Sequence, residues 1–455
     1  MQTKRILSLL LSVALLLGLT ACGSREEQHG QTEQSVETVT LGSQPVEITF
    51  WHCASDLAGQ RMEAYIQEFN ETNPYQITVK AAYQGQYADA TTLIKAILSA
   101  ENYSKLPDVM QMDSTGKVAY YNSGKAYTVE KALAEFPVEN LMDSYWEAAC
   151  ANWQFSGSQL GLPFATSTTV TYYNADLLAQ AGWDRAPETF GEVMALAADW
   201  KTAGGEQAVM QTIPNSPTLS NWLCQLGSYL VDESNGSDGT ATRLACVENG
   251  ALATFLAAWK ELYESGAILN EDSSTDAFVA GDVLLMIGSS SKIASVLSKV
   301  GERFPVGVSG YLRVNDSASA GASLSGSCLA MFDSGDALRR AAAWEFVRYL
   351  TSGEVQADFA AGTGYIPAHV DAENQPVYQE ALAATPQYLP ALEQVQSTSA
   401  DMRSVTVGPA ADFYYAIMQG CSDMLTENLS VEETVERMSQ ELNGLLDKYL
   451  RDNPS

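Results

Sequence analysis

The chain has 455 residues, 46% of them hydrophobic, and its 25 Lys and Arg residues against 55 Asp and Glu residues give a formal net charge of −30. This apolar content is enough to fill the cores of two ordinary domains. The acidic excess argues against nucleic acid and anionic lipid as partners, because both are bound through clustered Lys and Arg.

The first residues predict secretion. Lys4 and Arg5 precede a short apolar run, Ile6–Leu17, and small residues follow it up to Cys22. The run falls short of the ~20 apolar residues that a membrane-spanning helix needs, which predicts a signal peptide at residues 1–21. The sequence Leu-Thr-Ala-Cys resembles the lipobox of bacterial lipoproteins, which implies that Cys22 is acylated and holds the chain on the extracytoplasmic face of the cell membrane. The alternative is an ordinary signal peptide with a chance cysteine.

Residues 22–45 are predicted to be a flexible tether. Gly, Ser, Gln, Glu and Thr dominate this stretch, so it cannot bury enough apolar surface to offset the entropy of ordering. We expect it to hold the globular part away from the membrane. No later stretch is long and apolar enough to span a bilayer.

Cysteine and histidine usage gives no metal or cofactor motif. Six cysteines follow Cys22, far apart and in no Cys-x-x-Cys pair, so their pairing stays open and buried free thiols are the favoured state. They are Cys53, Cys150, Cys224, Cys246, Cys328 and Cys421. The only histidines, His29, His52 and His369, form no cluster and accompany no Gly-x-Ser-x-Gly turn. We therefore expect no zinc site, no other cofactor and no Ser-His-Asp catalysis.

The globular part begins with alternating strands and helices. Val46–Trp51 and Ile77–Tyr83 alternate as strands, and Leu57–Asn70 and Ala88–Ala100 carry the apolar stripe of a helix. Pro107–Asp113 is a third predicted strand that ends in polar residues. This order predicts an α/β fold with a parallel or mixed sheet, whose ligands gather at the ends of the strands.

The stretch Gly161–Asn174 separates two such regions. It starts as a Gly/Pro turn with small hydroxyl residues and becomes β-branched and aromatic, which predicts a loop that enters a strand. Beyond it, Thr189 and Glu192 predict a capping box at the start of a helix. A turn and a buried strand, Phe278–Met286, then lead to the serines after Gly288.

The last third is mainly helical. A long helix is predicted around Leu338–Leu350, and the aromatic cluster Phe413–Tyr415 precedes the final helix. Ser430 and Glu433 predict a second capping box at the start of that helix.

Several short motifs occur in the order seen in a known family. The motifs are Phe50-Trp-His52, Phe69-Asn70, Tyr83-Gln-Gly-Gln-Tyr87, Gly161-Leu-Pro-Phe164, Tyr172-Tyr-Asn174, Ala181-Gly182, Pro187-Glu-Thr189, Gly281-Asp282 and Thr363-Gly-Tyr-Ile-Pro367. Together they resemble the extracellular solute-binding proteins, family 1, the carbohydrate-binding proteins of ABC importers, and among them most closely the branch that binds glycerol 3-phosphate.

The resemblance implies a two-lobed periplasmic-binding-protein-like fold whose hinge the chain crosses three times. The first lobe would comprise residues 46–166 plus 325–361, and the second lobe residues 167–324 plus 362–455. Closure of such a hinge around a ligand is the usual motion of this class. An ABC permease would recognise the closed form, so the resemblance implies binding without catalysis.

The resemblance also implies the residues that hold the ligand. Tyr and Ser suit a sugar or polyol, because a ring covers C–H faces while hydroxyls pair with ligand hydroxyls. The matched positions are Tyr87, Ser167, Ser289 and Tyr365, and Ser325 and Gly326 are further candidates. Three positions depart from the pattern: Asp113 or the following Ser114 stands for an acidic residue after the third strand, Trp222 is the candidate substitute for a ligand-facing Trp, and Tyr414 stands at the position of a phosphate-binding Arg.

The departure at Tyr414 favours a neutral ligand, since phosphate recognition favours a guanidinium group and a tyrosine cannot supply its charge. Arg403 lies nearby in the sequence and is the candidate that could compensate. We therefore expect a monomeric binding protein for a neutral carbohydrate or polyol, with a glycerol-phosphate ester as the alternative. A secreted glycan hydrolase or a surface adhesin on the same fold stays open, although no two acidic residues are paired by the sequence as hydrolysis requires.

Overall fold

A computed structural model of the protein describes residues 40–453. The predicted signal peptide, Cys22 and residues 22–39 of the predicted tether lie outside the described residues. Within residues 40–453, no helix has both the length and the apolar character needed to cross a membrane.

Twelve strands are present in the described part of the chain, and four of them have only two residues. They are β1 Val46–His52, β2 Ile77–Tyr83, β3 Val109–Met112, β4 Ala126–Tyr127, β5 Gln154–Phe155, β6 Ser158–Gln159, β7 Gly161–Asn174, β8 Ala208–Gln211, β9 Ile268–Leu269, β10 Val283–Ser289, β11 Val306–Ser309 and β12 Leu324–Phe332.

Right-handed helices connect and cover these strands. Their bounds are Asp56–Thr72, Tyr87–Ser99, Lys117–Asn122, Val129–Glu135, Glu147–Ala151, Ala175–Gln180, Phe190–Thr202, Ser216–Gln225, Ala251–Glu264, Thr275–Ala280, Ile293–Val300, Ala337–Leu350, Gly353–Thr363, Pro376–Ala384, Leu389–Ser397, Ala410–Thr426 and Val431–Asp452. A left-handed turn at Asp232–Gly236 stands apart from them.

The main sheet is mixed, in the order β2-β1-β3-β12-β7-β10-β8-β9, with β4 beside β12 and β11 beside β7. β1 runs parallel to β2 and β3, and β8 runs parallel to β10 and β9. Both β12 and β10 run antiparallel to β7. β5 and β6 form a separate hairpin.

The 14-residue strand β7 belongs to two halves of this sheet. From Gly161 to Thr168 it pairs with β12, and from Thr169 onward it pairs with β10 and β11. We call β1 to β4, β12 and residues 161–168 the first half-sheet, and residues 169–174 with β8 to β11 the second half-sheet. The change of partner between Thr168 and Thr169 is the strand crossing.

Three apolar cores support the sheet. The largest packs the helices Asp56–Thr72 and Ala337–Leu350 on the first half-sheet and continues past the strand crossing to Tyr172. The second lies in the second half, around Trp222 and Phe255, and includes the two C-terminal helices. The third and smallest lies under the β5–β6 hairpin. All six cysteines of the described residues are free thiols, and all but the partly buried Cys224 are buried.

The predicted elements occur at or within a few residues of their expected positions, with two differences. The segment from Gly161 is strand throughout, because its first half pairs with β12 instead of forming a loop. Ser430 and Glu433 form the predicted capping box. At Thr189 only half of the box forms, because the Glu192 carboxylate binds Arg185 and the backbone N–H of Glu188.

Candidate functional site

The strand crossing collects the carboxyl ends of strands from both half-sheets. Met112, at the end of β3, pairs with Cys328, so the first residues of β12 extend beyond β3 toward the crossing. Ser289, at the end of β10, pairs with Thr169 at the crossing itself. Ligands of open α/β sheets bind at such carboxyl edges. The crossing is therefore the candidate site.

The hydroxyls of Ser167 and Ser325 meet at the crossing. The two residues pair across β7 and β12, and their Oγ atoms lie 3.0 Å apart. Ser167 is only 4% exposed, whereas Ser325 is exposed. A ligand therefore reaches this pair from the Ser325 side, where a hydroxyl can both donate and accept a hydrogen bond.

Gly326 keeps the backbone of β12 close to β7. Its φ is +109°, and a Cβ at this position would lie 1.7 Å from the carbonyl oxygen of Ala165. A side chain fits neither that conformation nor that space. The contribution of Gly326 to the site is thus the path of the backbone beside Ser325.

Tyr87 and Tyr365 bring two aromatic rings to the same edge. Tyr365 stacks on Phe359 with 5.7 Å between ring centroids, and the N–H of the next residue, Ile366, donates to the Thr166 carbonyl at 2.8 Å. Burial raises the pKa of the Tyr87 hydroxyl above its usual range, and the neighbouring Tyr365 raises it further. Burial also raises the pKa of Tyr365. Both hydroxyls are therefore neutral at physiological pH and can donate to a ligand.

Asp113 follows β3 directly. Its carboxylate accepts hydrogen bonds from the backbone N–H of Thr115 at 3.2 Å and from the Thr115 hydroxyl at 2.6 Å. Burial raises the pKa of the Asp113 carboxyl, and the hydrogen bonds from Thr115 and Gly116 oppose this shift. Because a carboxylate accepts more hydrogen bonds than these, Asp113 can still receive one from a ligand hydroxyl.

The second half-sheet contributes Ser289 and Tyr414. The Oγ of Ser289 lies 2.9 Å from the Oγ of Ser291, and the Ser289 carbonyl accepts from the Tyr172 hydroxyl at 2.6 Å. Tyr414 begins the second turn of its helix, and its hydroxyl accepts from the Nδ2 of Asn215 at 3.3 Å. Asn215 follows β8, which is parallel to β10, so Tyr414 lies at the same carboxyl edge as Ser289.

Trp222 does not join the other residues, and we correct that expectation. Its side chain is 0% exposed, it stacks on Phe255 and Tyr311, and its Nε1 donates to the Leu312 carbonyl at 3.0 Å. With both the ring and the N–H engaged inside the second core, Trp222 has no surface left for a ligand.

Arg403, the candidate replacement for a phosphate-binding arginine, already has an ionic partner. Its Nη1 lies 3.2 Å from the Oδ1 of Asp238. The Asp238 carboxylate therefore already neutralises part of the charge of Arg403.

Two buried polar residues beside the site were not predicted. Gln111 in β3 is 1% exposed, accepts from the Cys53 N–H at 3.0 Å and donates to the Ser327 Oγ at 3.0 Å. Lys117 is also 1% exposed, and its Nζ donates to the Asn152 carbonyl at 3.0 Å. Burial lowers the pKa of Lys117 to about 8. No sequence pattern distinguishes these residues from solvated ones.

Comparison with known proteins identifies a family. The profile of a family described as "Bacterial extracellular solute-binding protein" matches residues 64–388. A relative from Yersinia pestis, described as sn-glycerol-3-phosphate-binding periplasmic protein UgpB, is 25% identical over 330 residues, which cover 70% of this chain and 74% of the relative.

Solved structures share the fold. UgpB from Mycobacterium tuberculosis in complex with glycerophosphocholine has a TM-score of 0.70 at 21% identity and covers 90% of this chain and 99% of its own. The cyclic alpha-maltosyl-1,6-maltose binding protein from Arthrobacter globiformis has a TM-score of 0.73 at 19% identity, with coverage of 89% and 100%. The predicted two-lobed fold of periplasmic binding proteins is confirmed.

Proposed function

Because this chain belongs to the bacterial extracellular solute-binding proteins, we propose that it captures a neutral carbohydrate or polyol between two lobes and delivers it to an ABC permease. The protein acts by binding, without a chemical step and without a cofactor. Its lobes are residues 46–166 plus 325–361 and residues 167–324 plus 362–455. The change of strand partners after Thr168 supports the first of the three hinge crossings.

The main support for a neutral ligand is that the cations around the site already have ionic or hydrogen-bond partners. The position matched to a phosphate-binding arginine holds Tyr414, whose hydroxyl accepts from Asn215. Arg403 is paired with Asp238, and the buried Lys117 donates to a backbone carbonyl. Arg403 is thus partly neutralised by a carboxylate and the buried Lys117 is already hydrogen-bonded, so a phosphate ester would have to share each cation with its present partner.

The remaining groups suit ligand hydroxyls. Ser325, Ser289 and Tyr365 supply neutral donors and acceptors, and Asp113 supplies a strong acceptor. Tyr87 and Tyr365 add ring faces that cover C–H groups of a sugar. These side chains can form hydrogen bonds with the hydroxyl groups of a polyhydroxyl compound, and such a ligand needs no charge of its own to bind them.

Calorimetric titration tests which class of ligand the protein binds. The purified chain is titrated against a panel of neutral mono- and oligosaccharides and polyols, and against glycerol 3-phosphate and glycerophosphodiesters. We expect heat of binding with a member of the neutral panel. Tight binding to phosphate esters alone would overturn the proposal of a neutral ligand. It would establish the alternative, a glycerol-phosphate ester, which the description of the relative favours.

The membrane anchor is tested separately. We propose that Cys22 carries the lipid and that the body is monomeric. Metabolic labelling with radioactive palmitate should mark the wild-type protein, and C22S should abolish the label and release the protein into the medium. Labelling that persists in C22S would contradict the anchor. Light scattering of the chain without its first 22 residues should give the monomer mass.

A further inference from the structure

The loop after Val231 has an unusual backbone. Glu233, Ser234 and Asn235 have φ/ψ of 52°/43°, 52°/56° and 60°/32°, and Gly236 continues with φ of +74°. L-residues avoid this left-handed conformation, and runs of it are rare. Such a run persists only where the surrounding structure holds it in place.

The buried side chain of Asn235 holds the loop. Asn235 is 0% exposed, and its Oδ1 accepts from the N–H groups of Leu230 and Val231 at 2.7 and 3.3 Å. Its Nδ2 donates to the Ser220 Oγ at 2.9 Å and to the Arg403 carbonyl at 2.8 Å. Every hydrogen-bonding atom of the amide is thus satisfied, which fixes the loop to the second core.

Ser237, two residues after Asn235, reaches the other half of the molecule. The carbonyl of Ser237 accepts a hydrogen bond from the N–H of Ser156 at 2.8 Å. Ser156 and Gly157 are the tip of the β5–β6 hairpin, with φ of +50° and +76°, the two-residue turn that matches the twist of paired strands. Phe155 of this hairpin packs in the third core and contacts Tyr121 edge to face.

We propose that the Ser156–Gly157 tip and the Glu233–Gly239 loop form a latch that holds the two lobes closed. This proposal rests on the two-lobed closure of the proposed function but not on the identity of the ligand. The latch is a backbone-to-backbone bond between two turns that are each fixed in a left-handed conformation. Because both turns are ordered in advance, little conformational entropy is lost when they meet.

The position of the latch couples it to the site. The Asp238 carboxylate pairs with Arg403, and the Asn235 amide holds the Arg403 carbonyl. On the other side of the latch, Lys117 follows Asp113 of the site by four residues and donates to Asn152, four residues before the hairpin tip. One backbone hydrogen bond shifts the ratio of closed to open forms by about 2- to 10-fold. The latch thus tunes affinity without touching the ligand.

Disulfide trapping in the full mature chain tests the contact. The variant carrying S156C and S237C is exposed to mild oxidant with and without ligand from the titration panel, and the 156–237 link is identified by peptide mass mapping. We expect rapid linking, a smaller radius of gyration by X-ray scattering and ligand exchange slowed at least 10-fold, all reversed by reduction. The control pairs S43C with S237C, since Ser43 precedes the amino end of β1, at the opposite edge of the sheet, and should not link.

Hydrogen exchange of the wild-type protein tests the latch without any substitution. Ser156 lies at an exposed hairpin tip, and within the described part of the chain its amide donates to the Ser237 carbonyl, so this bond is what protects the amide from exchange. We expect the Ser156 amide to exchange more slowly than the neighbouring Gly157 amide, and more slowly still when the ligand favours closure. Equal exchange of the two amides, or no 156–237 disulfide under conditions where the folded variant binds ligand, would overturn the latch. Failure of every ligand in the titration panel would bear only on the proposed function.

Discussion

Replacement of Lys117 by methionine should stabilise the ligand-free protein. The ammonium is 1% exposed, and burial lowers its pKa from 10.5 to about 8. At ~1.36 kcal/mol per pH unit this shift corresponds to about 3 kcal/mol by which the folded state disfavours the charged form. Methionine has a similar shape without the charge, but it leaves the Asn152 carbonyl without its donor, which costs about 1 kcal/mol. The expected gain in unfolding free energy at pH 7 is about 2 kcal/mol.

The stability difference between K117M and the wild type should depend on pH in a definite direction. A base whose pKa is lower in the folded state binds fewer protons there, so the stability of the wild type rises as pH increases from about 8 to 10.5. Below pH 8 both states are protonated and the full penalty applies. The advantage of K117M over the wild type should therefore fall by about 2.5 kcal/mol between pH 7 and pH 10.

Urea unfolding followed by tryptophan fluorescence measures this difference. The matched control is K80M, because Lys80 is exposed and its ionic partner within residues 40–453 is the likewise exposed Glu47 at 3.8 Å. This substitution should change the unfolding free energy by less than about 0.5 kcal/mol at either pH. A K117M advantage that is the same at pH 7 and pH 10 would refute the buried-charge reasoning. A loss of stability at pH 7 would show that the ammonium has a stronger partner than the Asn152 carbonyl.

Three further substitutions probe the site. S325W should abolish ligand binding in calorimetry while the melting temperature stays within a few degrees, because the side chain of Ser325 is exposed; unchanged affinity would remove Ser325 from the site. G326A should lower the unfolding free energy by at least ~2 kcal/mol, because the residue has a positive φ and its new Cβ would clash with the Ala165 carbonyl. The control G335A, which also has a positive φ but open space at its Cβ, should lower it by about 1 kcal/mol. Equal losses would contradict the close approach of β12 to β7 at Gly326. Y414R should gain affinity for glycerol 3-phosphate by at least 10-fold over the wild type, and no gain would place Tyr414 outside the site.

The regular elements were predictable because their patterns are local. The stripe of Met62, Tyr65, Ile66 and Phe69 gave a helix, and all four side chains are buried as expected. The carboxyl edge of β3 was likewise readable from one strand that ends in polar residues. Local patterns of this kind carry their own periodicity, so no knowledge of distant partners is needed.

Properties set by distant partners were not predictable. Gly161–Phe164 was predicted to be a turn. It is a strand because it pairs with β12, which lies more than 150 residues later in the sequence. Ser167 was predicted to hold the ligand, but the sequence could not show that its side chain is only 4% exposed and hydrogen-bonded to Ser325. The exposed Ser325 is therefore the better position for a bulky replacement. Trp222 was assigned to the site by type, but only the packed structure shows that its ring and its N–H are both occupied.

The late position of β12 in the chain also governs when the protein can fold. β12 lies between β3 and β7 in the sheet, but it begins at Leu324, whereas β3 ends at Met112, a separation of 212 residues (324 minus 112). At a synthesis rate of ~5–20 residues per second, β12 is made roughly 10–40 s after β3. During that interval the apolar strands β1, β3 and β7 have no complete sheet to join. The first half-sheet therefore cannot be completed until most of the chain has been made, which favours passage of the still unfolded chain through a membrane.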